Sequence, residues 1–167
     1  MFVISEILLL ILLYFFDTIF LRYLTIILCF LYSCFQKKGT FALLMVIFSD
    51  YCLLMRTYYC LGIFLFTCVQ CYYNYMLEGK IQYFVLLFSV FFPSIFLRAF
   101  LYLGISVWNI YKAYQYQHWL FVTLVLLAIC DILVAFQYLS HISIFILWYF
   151  YLASQIYFVK RISLEQR

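Results

Sequence analysis

Apolar residues along this chain come in long unbroken runs separated by short polar clusters. A strand with one wet face would instead alternate apolar with polar at every second residue. Charge-free stretches include 57–77, 81–97, 113–130 and 132–159. Several are near the roughly 20 residues that a helix needs to cross hydrocarbon. The interruptions are Asp17 to Arg22, Gln36-Lys37-Lys38-Gly39, Arg56-Thr57, Glu78-Gly79-Lys80, Pro93 to Arg98, Tyr114-Gln115-Tyr116-Gln117-His118 and Ser140-His141. They predict helices near 2–19, 22–36, 40–55, 57–76, 81–97, 98–114, 117–138 and 141–160. Backbone groups in lipid must pair internally, so only helices and closed barrels span, and barrel strands alternate apolar-out with polar-in. The fold class expected is all-α: a polytopic transmembrane helical bundle of about eight spans, one integral-membrane domain over residues 1–167. The second, third and sixth spans are short, which leaves a count of seven open. Mismatch of that kind costs only fractions of a kcal/mol per Å.

Composition agrees. Of 167 residues, 71% are hydrophobic and only 10% charged, against about 45–50% and about 25% in an ordinary soluble domain. Even a large soluble chain buries only about three-quarters of its surface. A soluble enzyme, a nucleic-acid-binding domain and a disordered tail are thereby excluded, and the solvent for most of the chain is lipid.

Charge then sets the expected topology. With eight spans, Lys37, Lys38, Lys80, Lys112, Lys160, Arg161 and Arg167 fall on the side that carries both termini, while Arg22, Arg56 and Arg98 fall on the other. The positive-inside rule makes the richer side cytoplasmic, so both termini are expected there. The net charge of +4 reports topology and implies no nucleic-acid partner. Glu6 stands where a signal peptide would carry positive charge, and no small-residue cleavage site follows, so the first helix is expected to be retained.

Most candidate chemistry dissolves on inspection. Cysteines 29, 34, 52, 60, 68, 71 and 130 all lie inside predicted spans; an odd number in lipid does not make a disulfide framework. Cys68-Val69-Gln70-Cys71 has CxxC spacing but no second pair and no nearby His, so small packing residues are the better reading. His118 and His141 are expected on opposite membrane faces and share no metal. No Ser-centred elbow, phosphate loop or HExxH occurs.

Two carboxylates remain. Asp50 follows Met45-Val46-Ile47-Phe48-Ser49, and Asp131 follows Leu126-Leu127-Ala128-Ile129-Cys130. An Asp at the centre of a span costs about 2.5–3.5 kcal/mol on insertion scales, and such residues usually face the bundle interior and mark function. Glu6 and Asp17 are read instead as lying near helix ends, where they reach the interface. Asp50 and Asp131 are 81 residues apart, about half the chain, and the text after each runs similarly. Two parallel four-helix repeats would put both at one depth. The plain alternative is structural: two buried Asp that hydrogen-bond neighbours such as Gln70, Gln155 or tyrosine hydroxyls.

At these residues the chain resembles the YhhN family of membrane lysoplasmalogenases. In that family a Gly-Asp closes an apolar helix, and the next carries a Gly, an aromatic and His-x-x-Tyr. Here the matching text is Ser49-Asp50, then Gly62-Ile63-Phe64, then Gln70-Cys71-Tyr72-Tyr73. A second signature, Ser-Asp before a Tyr-rich helix ending in Ala-Gln, corresponds to Cys130-Asp131 and to Trp148-Tyr149-Phe150-Tyr151-Leu152-Ala153-Ser154-Gln155. The departures are Ser49 for Gly, Gln70 for His and Cys130 for Ser. The resemblance implies hydrolysis of the vinyl ether bond of lysoplasmalogens to a fatty aldehyde and a glycerophospho-base. It implies Asp50 and Asp131 as catalytic acids, with Gln70, Tyr73, Tyr151 and Gln155 against the lysophospholipid, and no metal or organic cofactor. Protonating an alkene carbon needs a carboxyl that holds its proton, and burial favours that form; a second carboxylate stabilises the cation or activates water. Two other readings stand beside it. One is a small proton-coupled carrier, in which intramembrane acids are also expected. The other is a degenerate family member that binds lipid without turnover, because the family His is Gln70 here.

Overall fold

The computed structural model describes residues 2–16, 18–54, 58–91, 94–140 and 146–165. Among these residues the chain forms eight α-helices and no strand: α1 Phe2–Phe15, α2 Ile19–Gln36, α3 Thr40–Leu54, α4 Tyr59–Glu78, α5 Tyr83–Phe91, α6 Ile95–Gln115, α7 Leu120–Ser140 and α8 Leu147–Leu164. The order follows the polar interruptions. The breaks placed at Asp17, Arg56-Thr57, Pro93 and His141 lie outside the described residues, as does Arg167.

Among the described residues three helices are long and apolar enough to cross a membrane: Ile19–Gln36, Tyr59–Glu78 and Leu120–Gln137. Ile4–Phe15 and Thr40–Leu53 are apolar but shorter. The count of spanning-length apolar helices is thus below the eight expected. α5 departs most: the apolar run 81–97 contains a helix of only nine residues, about 14 Å at 1.5 Å per residue. Hydropathy does not distinguish the residues that leave α4 and enter α6 from those that stay helical.

The helices group into two compact units: Thr40–Phe121, and Met1–Gly39 with Val122–Arg167. The boundaries fall after Gly39 and Phe121, not at the midpoint that a four-plus-four repeat sets.

In the Thr40–Phe121 unit, α3, α5 and α6 pack on α4. α3 runs antiparallel to α4. The Phe41 ring lies 6.1 Å from that of Tyr72 at one end, and at the other Ser49 Oγ donates to the Gly62 carbonyl at 2.6 Å. Gly62 is what allows the approach: a Cβ there would stand 2.8 Å from the Leu53 side chain and 3.3 Å from the Ser49 carbonyl oxygen. Small residues serve this purpose generally where helices meet in lipid. α6 runs parallel to α4. Arg98 Nη1 donates to the Cys60 carbonyl at 3.0 Å near their N-terminal ends, and Lys112 Nζ meets Glu78 Oε1 at 3.0 Å near their C-terminal ends. From Cys60 to Glu78 the helix rises about 27 Å, so the chain between α4 and α6 retraces that length although α5 is short.

In the second unit α2 packs against α1 and α8. Arg22 stacks its guanidinium 4.4 Å from the centre of the Trp148 ring, and Gly39 lies against Phe158 and Ile162, so α2 and α8 run parallel. α2 ends in a left-handed Lys37 with φ 54, whose N–H bonds the Cys34 and Ser33 carbonyls. Ser33 Oγ bonds the Lys38 carbonyl. Gly39 has φ 66 and would carry a Cβ 3.1 Å from Ile162 Cδ1 and Phe158 Cε1. Only glycine meets both demands cheaply.

Candidate functional site

Asp50, Gln70 and Tyr73 belong to the Thr40–Phe121 unit, whereas Asp131, Tyr151 and Gln155 belong to the other. Asp50 is 5% exposed, near the C-terminal end of α3. Its neighbour Ser49, standing where the resembled family has Gly, turns its hydroxyl to the Gly62 carbonyl. Asp131 sits on α7 and is half-buried. Tyr73, Tyr151 and Gln155 are buried.

Gln70 is held by α6 at both its backbone and its side chain. Asn109 Nδ2 donates to the Gln70 backbone carbonyl at 2.8 Å and to its Oε1 at 2.9 Å. Gln70 Nε2 reaches Ser106 Oγ at 3.4 Å, and Asn74 Nδ2 donates to Asn109 Oδ1 at 3.0 Å. All four residues are buried. Gln70 and Asn74 stand one turn apart on α4, and Ser106 and Asn109 one turn apart on α6, so each helix presents one polar face to the other. Sequence reading missed Asn74, Ser106 and Asn109. The available signal was this i, i+4 and i, i+3 spacing of amides and a hydroxyl inside apolar helices.

The acid inventory also changes. Glu6, read from sequence as reaching the interface, is 0% exposed. Cys29 Sγ, on α2, lies 3.9 Å from Glu6 Oε1, and Glu6 Oε2 has no hydrogen-bond partner. Distance from a helix end does not fix which way a side chain points; Glu6 faces α2.

An open cavity of about 770 Å³ lies at the N-terminal ends of α4 and α6, lined among others by Tyr59, Cys60, Phe64, Val90, Ile95 and Arg98. None of the six sequence-derived site residues lines it. Cys60 and Phe64 each stand two residues, about 200° of helical turn, from Gly62. The cavity therefore lies across α4 from the face that meets Ser49.

All seven cysteines are free thiols. Among the described residues, no three His, Cys, Asp or Glu side chains gather closely enough to hold a metal ion. Compared with known proteins, the chain matches no family model, no curated protein and no solved structure.

Proposed function

We propose that the chain is a multi-pass membrane hydrolase that resembles the YhhN lysoplasmalogenases and cleaves the vinyl ether bond of single-chain lysolipids. The observation that carries the reading is the enclosure of Asp50, a carboxyl 5% exposed within an apolar helix. Such residues in membrane proteins are a functional-site hypothesis by default. In the proposed reaction one Asp gives its proton to the alkene carbon that bears the alkyl chain, leaving an oxocarbenium ion at the carbon bonded to the ether oxygen. The other carboxylate takes a proton from water as its oxygen adds to the cationic carbon. The hemiacetal then collapses to fatty aldehyde and glycerophospho-base.

The topology proposed with it has eight crossings, parallel four-helix halves and both termini cytoplasmic. In its support, Arg98 and Lys112 mark opposite ends of the α4–α6 pair, as alternating loop sides require. The compact units do not follow the four-plus-four division.

The test is direct. The purified full chain in detergent should release fatty aldehyde from a vinyl-ether lysolipid and leave the ester-linked analogue intact. An ester needs a nucleophile and an oxyanion hole, whereas an alkene carbon needs only an acid. A second reading, a small proton-coupled carrier, is favoured by one observation, the enclosed Glu6. Solute uptake into liposomes driven by a pH gradient, without aldehyde release, would select it.

A further inference from the structure

The register of α2 against α8 is set by Arg22 over Trp148 at one end and by Gly39 against Phe158 and Ile162 at the other. Interpolating between these anchors puts Cys29 level with Tyr151 to Gln155. Glu6 meets Cys29 from α1, so Glu6, Cys29 and Gln155 share one depth. Glu6 and Gln155 are both fully buried, and each carries an orphaned oxygen: Glu6 Oε2 and Gln155 Oε1. The Gln155 amide nitrogen is only 3.5 Å from Ser154 Oγ, a neighbour in sequence.

An ionised carboxyl has acceptors alone, and so does an amide oxygen. Glu6 Oε2, enclosed and without a donor, is such an acceptor. A proton on Glu6 removes the charge and turns the carboxyl into a donor. Among the described residues Glu6 makes no ion pair, and its one polar contact is with Cys29. From α2 the titratable group that faces Glu6 is Cys29, and from α8 the one level with it is Tyr151. Arg22 lies seven residues before Cys29, about 10 Å along the axis, and is occupied with Trp148. Lys160 and Arg161 lie exposed toward the end of α8, and α7 in the same unit carries the half-buried acid Asp131. A carboxylate enclosed without a cation neutralises rather than remain charged.

We propose that Glu6 is a proton-binding site within the apolar α1–α2–α8 packing, a neutral carboxylic acid at neutral pH with Cys29 as its polar neighbour and Gln155 at the same depth. This goes beyond the hydrolase reading and stands independently of it.

A hydrophobic carbodiimide tests it, because only an acid that brings its own proton reacts readily in an apolar site. Dicyclohexylcarbodiimide takes the carboxyl proton on one nitrogen while the carboxyl oxygen adds to its central carbon. An oxygen-to-nitrogen acyl shift then leaves a stable N-acylurea, with no leaving group. The purified full chain in micelles is treated at a series of pH values, and the adduct is mapped by mass spectrometry. In the wild type Glu6 should carry the adduct at neutral pH, and its yield should fall about tenfold per pH unit once the acid ionises. Glu6→Gln should remove the adduct from that peptide. No adduct on Glu6 at any pH overturns the proposal, as does labelling of Asp50 or Asp131 alone. So does a yield on Glu6 that stays constant as the pH rises. The wild-type map decides even if the variant fails to fold, and its result is independent of whether aldehyde is released.

Discussion

Asn109 holds Gln70 at two points, its backbone carbonyl at 2.8 Å and its side-chain oxygen at 2.9 Å, from one amide nitrogen. A second donor at that carbonyl stitches α6 to the backbone of α4 without breaking the helix, because a carbonyl oxygen has two lone pairs. Gln70 lies near the middle of the interval between the Cys60–Arg98 contact and the Glu78–Lys112 ion pair. Three polar contacts along a parallel helix pair fix its register where apolar contacts alone allow sliding.

Replacing Asn109 by Leu should loosen this pair. It strands Gln70 Oε1 and the Asn74 amide in an enclosed place, and a buried group left unsatisfied costs about 1–3 kcal/mol. Interhelical bonds in lipid average less than that, about 0.6 kcal/mol. Ser106→Ala, which loses one long bond, should cost less. Unfolding of the purified chain in mixed micelles measures both, and equal stability of Asn109→Leu and wild type would contradict the clamp.

Gln70→His returns the residue of the resembled family. Imidazole cannot both accept from Asn109 and donate to Ser106 in the amide's geometry, so the unfolding midpoint should fall. Aldehyde release should be equal or higher. A silent wild type beside an active Gln70→His would mark a degenerate member of the family, in which the site has been given over to packing.

Gly62→Ala should force α3 away from α4, since the new Cβ would stand 2.8 Å from Leu53. Overpacking of this kind typically costs about 1–3 kcal/mol. The truncation Leu53→Ala in the same chain should recover part of the loss. A double-mutant cycle with no coupling would show that the contact does not limit the approach.

The helices were legible because polar clusters interrupt apolar runs at every turn, and Gly79, with φ 68, ends α4 as its type suggests. The length of α5 was not legible. Hydropathy assigns 81–97 to lipid as one span, while α5 is Tyr83–Phe91 and Ile95 already belongs to α6. Asp50 was legible as an enclosed acid because it follows an apolar run near the end of α3. Glu6 was not, because helical phase rather than distance from the terminus turns it toward Cys29. The Gln70–Asn109 clamp joins residues 39 apart. Seen singly, each is an isolated polar residue; only the parallel pairing of α4 and α6 brings them together.

The topology can be checked with impermeant thiol reagents on sealed vesicles. Ser94→Cys and Gln115→Cys, both exposed near opposite ends of α6, should label from opposite sides. Gln115→Cys should share the side of a reporter fused after Arg167, which should behave as cytoplasmic. Labelling of both positions from one side would contradict the crossing of α6.

The central claim is that Asp50 and Asp131 carry the proton transfers of vinyl ether hydrolysis, and the most direct measurement is aldehyde release by the wild type, Asp50→Asn and Asp131→Asn. Asn keeps the shape but neither delivers a proton nor carries the stabilising charge. General acid–base assistance is typically worth about 10²–10⁴-fold, so each variant should lose activity by that order while remaining folded. Unchanged rates in both variants, or no aldehyde from a folded wild type and from Gln70→His alike, would contradict the account.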